Sequence, residues 1–386
     1  APLKALKWMF DKEAPLLFRP QMDWQQWRWG LQFLAQCNDA AFERNVKQIV
    51  ALGAYSHAAL KDLVKTTGIE YNRLERGIAH FYTDQKSFDA AGHAVELMRK
   101  FGVQRRLVSR DELLKIEPAF KAYGDKITGG TYTSTDESGD ARVFTQELAR
   151  RCAARGAQFL YGHDVLRLNK IGDAIDSVAV IARNTGAGGQ KDFILKGDAF
   201  VVACGSYSAP LLRTVGVDLP IYPGKGYSAT FPLLKPEGAP MVSTIDDGKK
   251  IAMSRLGNVL RVAGTIELGG FDMSLDSPVA RARCHMLSRR IAEILPGVCD
   301  TRTPEEGGNP QYWTGLRPAT PTNIPFIGQT RVGKLWVNAG HGTLGWTHGA
   351  GSGKAMAELL SGEVPAMNFG FLGVQAPRAV RGTVAA

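Results

Sequence analysis

Cysteine is scarce in this 386-residue chain: Cys37, Cys152, Cys204, Cys284 and Cys299 are the five present, and no two stand at C-x-x-C spacing. That excludes a disulfide scaffold, a thioredoxin-like motif and a thiolate zinc site, and it fits a reducing compartment with free thiols. No apolar run reaches the ~18 residues that a membrane-spanning helix needs. None of the seven histidines has a ligand partner at useful spacing, so no metal is expected. Lys and Arg number 47 against 37 Asp and Glu, a net charge of +10, yet the sequence holds no run of five basic residues and no nucleic-acid module. The excess reads as a scattered basic surface with weak attraction for anionic lipid, and nucleic acid is not an expected partner. No secretory leader is read either, since Ala1 opens a segment already carrying Lys4, Lys7, Asp11 and Lys12.

What is present suits an ordinary globular chain, 44% hydrophobic and 22% charged. Its length exceeds one ordinary core, so two domains are expected. Residues 1–66 read as tryptophan-rich helices, with Trp8, Trp24, Trp27 and Trp29 among basic residues. Such helices either lie at a membrane interface or bury their rings, and the sequence leaves both open. Two short strands are expected around Gly77, then a helix, then a capping box of Ser109 and Glu112. AFVVA at 199–203 reads as a parallel strand buried on both faces, leading into a Gly-Ser turn and a helix. Cys204 beside it reads as a small buried filler. The expected partition is a helical segment 1–66, substrate-domain parts 67–125 and 217–310, cofactor-domain parts 126–216 and 311–365, and a tail 366–386. The fold class is α/β: a Rossmann-like domain interleaved with a mixed-sheet α+β domain.

Gly340 to Gly345, GHGTLG, match G-x-G-x-x-G after a strand and at the opening of a helix. A NAD fingerprint also needs a second strand ending in an acid about twenty residues on, whereas Glu363 falls just past a helix. GAGSGK is not a P-loop: His348 stands where the first glycine belongs, and Ala355 replaces the Ser or Thr. The physical content of the turn is backbone free to approach a planar or anionic ligand, with a helix N-terminus behind it.

GxRPxTPxxxPxIG (Gly315, Arg317, Pro318, Thr320, Pro321, Pro325, Ile327, Gly328), followed by LWVNAGHGTLGWT, resembles the C-terminal flavin-binding region of the D-amino-acid oxidase and glycine oxidase superfamily. FVVACGSYS and YPGKGYS agree with it, and PLKALKWMF, GGTYTSTDESGD and WTGLRPATP look like its bacterial D-amino-acid dehydrogenase branch. The likeness runs to about Leu372. The family's opening strand, GxGxxG turn and helix are not in this sequence, which the resemblance reads as a truncation.

The resemblance implies non-covalent FAD and oxidative deamination of D-amino acids to 2-oxo acids and ammonia. Hydride passes from the α-carbon to the flavin and electrons leave to a quinone or other respiratory acceptor. It implies a cytoplasmic enzyme peripheral on the inner membrane. Arg317 becomes the substrate-carboxylate clamp, with Tyr227, Tyr312 and Lys225 around it. Val165, Ala203, Gly205, Ser206, Gly315, Gly340, His341, Gly342, Thr343, Leu344, Gly345, Trp346 and Thr347 become the flavin contacts. The alternatives are an oxygen-using oxidase of glycine, sarcosine or another secondary amine, and a non-catalytic subunit without flavin.

Overall fold

The computed structural model describes residues 15–183 and 192–374. Trp8 and the closing residues 375–386 therefore lie outside the described residues, as does the stretch 184–190. The chain begins with β1 (Leu16–Phe18), α1 (Trp24–Ala35) and α2 (Asp39–Thr67). Asp23 and Asn38 start the two helices by accepting the Gln25 and Ala41 amides, and Gly68 stops the second at φ 61°. Next come β2 (Ile78–Tyr82), α3 (Gln85–Lys100), β3 (Arg105–Ser109), α4 (Arg110–Ile116) and β4 (Gly129–Thr133). Ser109 caps α4 through the Glu112 amide, as its sequence spacing predicts. Only one strand forms near Gly77. Residues 70–76 contribute a single bridge, Leu74 to Ser138.

After α5 (Ala141–Ala153) come β5 (His163–Ile171), β6 (Ala174–Ala182), β7 (Phe193–Lys196), β8 (Phe200–Val202) and α6 (Ser208–Arg213). The chain continues through β9 (Tyr222–Pro232), β10 (Ser243–Asp246), β11 (Ile251–Leu256), β12 (Val259–Leu268) and α7 (Pro278–Ile294). It closes with β13 (Gln311–Ala319), β14 (Phe326–Gln329), β15 (Leu335–Ala339) and α8 (Gly345–Leu360).

A nine-stranded mixed sheet runs β13-β9-β12-β11-β10-β2-β4-β3, with β1 parallel on β12. One face is sealed by α7 and the turn over Pro118–Lys126, where Phe81, Phe231, Val262, Leu287 and Ile291 have no exposed surface. Each such side chain contributes about 1.5–3 kcal/mol by leaving water. β1, β4 and β13 all belong to this sheet, which corrects three expected boundaries. Residues 16–18 are not helical, the sheet extends past 125 to Thr133, and it takes up 311–319.

A second sheet, β14-β15-β8, has β15 parallel to β8. β8 lies at its edge, so Val202 is buried but Val201 is 41% exposed, against the expectation of burial on both faces. Cys204 is likewise exposed. β5-β6-β7 form a separate antiparallel meander. α2 and α8 cross closely: a Cβ on Gly351 would fall 2.6 Å from the Ser56 Cα, and the Gly351 amide donates to Ser56 Oγ at 3.0 Å.

Candidate active site

The strand pair β9/β13 decides which side chains meet. Its register sets Thr314 opposite Tyr227, Gly315 opposite Gly226 and Arg317 opposite Gly224. Side chains alternate along a strand, so Gly224, Gly226, Gly315 and Arg317 share one face while Lys225, Tyr227 and Tyr312 share the other. The first face looks away from α7. Arg317 lies there over bare backbone, for a Cβ added to Gly226 would stand 1.8 Å from its Nη1. One guanidinium N–H donates to the Thr265 carbonyl at 2.9 Å, which a left-handed Thr265 (φ 57°) exposes where the β9/β12 register shifts. No carboxylate offsets the charge among the described residues. Burial alone pushes the guanidinium down to about 10, which leaves it charged at neutral pH. A half-buried cation with spare N–H donors and a clear glycine floor is a receptor for a planar anion.

The three companions expected around Arg317 sit on the α7 side, and this corrects their expected grouping. Tyr227 is buried and donates its hydroxyl to Glu267 Oε2 at 2.5 Å; Glu267 also accepts from Arg19 at 2.8 Å. Burial first and Glu267 second push the Tyr227 phenol up, so it stays protonated. Lys225 donates to the Ser274 carbonyl at 2.6 Å, with its ammonium 5.5 Å from the Tyr227 ring centroid. Tyr312 shares a hydrogen bond with Ser288 of α7 at 2.8 Å. All three fasten the sheet to what lies behind it.

The glycine turns flank β13. Ser206 Oγ donates to the Leu316 carbonyl at 3.3 Å, and a Cβ on Gly340 would meet the Thr320 methyl at 2.8 Å. β13 also packs against the single 3-10 turn Gly342–Leu344. Gly205 and Gly342 have positive φ (56° and 54°) and open space where a Cβ would stand. α8 begins at Gly345 with no side chain capping it, and Thr343, Gly345 and Thr347 are exposed. Uncapped N–H groups at the start of a 16-residue helix carry partial positive charge. Ala203 is exposed at the end of β8, and Val165 is exposed on β5 beside a register shift. Gly315 carries the Trp313 ring where its own Cβ would be, 2.2 Å away, so it is a packing glycine. Trp346 turns its ring edge-on to Phe144 at 5.3 Å and Tyr71 at 5.7 Å. The open glycines and the uncapped helix start fit the pyrimidine end of a flavin, whose reduced form is anionic. A cavity of about 140 Å³ separates Trp346 from Ile78, Ser243, Ile245, Ala252 and Ser254 on the open face of the large sheet.

His341, ahead of α8, pairs through Nε2 with Ser352 Oγ of that helix at 2.8 Å. Burial lowers both His341 and His348 to about 4, so neither is charged at neutral pH. A histidine held neutral in the fold favours unfolding once the unfolded chain can take up protons. Stability is therefore expected to be complete above pH ~6.5 and to fall between there and pH ~4, by up to about 3 kcal/mol for each imidazole. Denaturant midpoints measured across that range check this, and His348→Asn should flatten the slope.

Comparisons with known proteins place the chain in a family. The family model described as DAO, FAD dependent oxidoreductase, matches residues 17–359. The chain belongs to this family of flavin enzymes. Among curated relatives, the D-amino acid dehydrogenase of Dechloromonas aromatica (strain RCB) is 46% identical over 369 residues, 96% of this chain and 85% of that one. The D-amino acid dehydrogenase of Methylobacterium radiotolerans is 39% identical over 94% of this chain and 82% of its own length. Among solved structures, glycine oxidase from Geobacillus kaustophilus superposes with a TM-score of 0.69 at 23% identity, covering 83% of this chain and 81% of that one. L-proline dehydrogenase from P. horikoshii gives 0.67 at 18% identity, over 82% and 80% of the two chains. No helix among the described residues is long and apolar enough to cross a membrane.

Proposed function

We propose that this enzyme oxidises D-amino acids such as D-alanine to the 2-oxo acid and ammonia, and that Arg317 holds the substrate carboxylate. The observation that carries the reading is a half-buried guanidinium with no carboxylate partner among the described residues, lying on glycine beside the turns suited to flavin. Gly205, Ser206 and residues 340–347 would hold the FAD, with Ala203 and Val165 as further contacts. Bound FAD would supply the acceptor for the Cα hydrogen and its electron pair; the amine gives up a proton to solvent, and the imino acid left behind is hydrolysed by water to the 2-oxo acid and ammonia. The chain's own contribution is positional: a charge-assisted fork fixes the carboxylate, and so fixes where the α-carbon lies. The neutral His341 is spent on Ser352 and is not the base. Release of electrons to a quinone at the cytoplasmic membrane face completes the cycle. The curated relatives named above support the substrate class, and the net charge of +10 supports a contact with anionic lipid.

Anaerobic mixing with D-alanine, L-alanine, glycine and sarcosine tests the reading. The expected result is rapid bleaching of the flavin by D-alanine alone, dye-coupled turnover, and little peroxide in air. Bleaching by glycine or sarcosine with stoichiometric peroxide would replace it with an oxidase. No bleaching by any of the four amines would end it.

A further inference from the structure

Arg317 shares its face of the large sheet with a second arginine that the proposed reaction does not use. Arg261 of β12 stands opposite Thr230 of β9, and its guanidinium donates to Thr230 Oγ1 and to Ser228 Oγ, each at 3.0 Å. Ser228 is two residues along β9 from Gly226, the glycine beneath Arg317, so the two cations are set roughly 7 Å apart along the strand. Trp313, 57% exposed, lies between them. Its ring covers the place of a Gly315 Cβ, and its centroid is 5.6 Å from Arg261 Cζ. The floor is made of small residues, with Ala263 opposite Ser228 and Gly315 opposite Gly226.

Neither cation has an acid paired with it among the described residues. Asp140 is the acid close enough to act on Arg261, and its carboxylate caps α5 by accepting the Arg142 and Val143 amides. Glu137, on the same loop, pairs with Arg73. Burial lowers the Arg261 pKa from its ordinary value, and Asp140 only partly offsets this. Two neutral hydroxyls leave the guanidinium with spare N–H donors and an uncompensated charge.

We infer that Arg261 is a second anion-binding point of the active site, which takes the side-chain carboxylate of an acidic D-amino acid while Arg317 holds the α-carboxylate. The spacing suits glutamate, whose carboxyl carbons lie roughly 5 Å apart when extended, better than aspartate, which is one bond shorter. D-Alanine leaves Arg261 unused. The inference rests on the reading of Arg317 as the substrate clamp and extends it to the side chain.

The test uses the flavin-loaded full chain, Arg261→Met and Arg261→Lys. Glutarate, with two carboxylates, and butyrate, with one, are titrated against the flavin absorbance, which needs no turnover. The parent is expected to bind glutarate about ten- to a hundredfold more tightly than butyrate, as one added charge-assisted hydrogen-bonded contact would give. Arg261→Met should bind the two alike, and Arg261→Lys should keep part of the difference. In dye-coupled turnover the parent should show a KM for D-glutamate about tenfold below that for D-glutamine, a preference that Arg261→Met loses. Each comparison is made within one protein, so general damage from a substitution cancels. Butyrate binding with no gain for glutarate in the parent overturns the Arg261 assignment alone. Failure of both acids to perturb the flavin overturns the Arg317 clamp with it. Loss of flavin from Arg261→Met would place the arginine on the cofactor and overturn the assignment as well. If Arg261→Met does not fold, the parent's two ratios and Arg261→Lys decide.

Discussion

Arg317→Ala enzyme will keep its full flavin absorbance and lose on the order of a hundred- to a thousandfold in kcat/KM for its amino acid. Cutting one partner from a buried, hydrogen-bonded charge pair costs about 2–5 kcal/mol, and each 1.4 kcal/mol is roughly tenfold. The loss should fall mostly on KM, because the carboxylate is held in the ground state as well as the transition state. Arg317→Lys should recover only part of it, since an ammonium is a point charge that cannot fork onto two oxygens. An unchanged KM in the alanine variant would remove the guanidinium from substrate binding. Loss of flavin along with activity would assign it to the cofactor instead.

Gly226→Ala is expected to reproduce most of that defect without touching the arginine. The added methyl would stand 1.8 Å from Arg317 Nη1 and 2.2 Å from its Cζ, a distance no pair of atoms tolerates. The guanidinium must leave its bed, break its bond to the Thr265 carbonyl and point elsewhere. A displacement of about 1 Å at a clamp is enough to cost about a hundredfold. The neighbouring Gly224→Ala is the control, because its methyl would meet Ile266 and the Arg317 carbonyl at 3.5–3.6 Å, ordinary contact. Steady-state kinetics on the two variants, with thermal midpoints to confirm folding, check the pair. Equal activity in both would mean that the arginine has room to spare and the glycine floor is incidental.

Much of the candidate site was legible in the sequence because its parts are local. The Arg317 loop and the glycine turn before α8 are contiguous motifs, and a turn that needs positive φ at Gly340 and Gly342 declares itself in composition. The companions were not legible in the same way. Lys225 and Tyr227 lie in YPGKGYS next to the right strand, but their face depends on the pairing of β9 with β13, a non-local fact. A signal for it was nonetheless present. Gly224 and Gly226 alternate with Lys225 and Tyr227 at the period of a strand, so one face had to be bare. The Thr265 carbonyl had no sequence signal, since it depends on a register shift between β12 and β9. The domain boundaries moved for a similar reason: β4 and β13 read as strands, but which sheet each joins is settled by partners far away in sequence.

The alternation along β9 and β13 sorts future substitutions by parity. Even positions on β9 and odd positions on β13 share the face of Arg317, where, on the proposed assignment, a new side chain would change which molecules are accepted. Odd positions on β9 and even positions on β13 look into the layer beneath α7, where the same change alters how firmly the protein holds together. Selectivity and robustness can thus drift separately on two strands, one residue apart, each free to change while the other is kept.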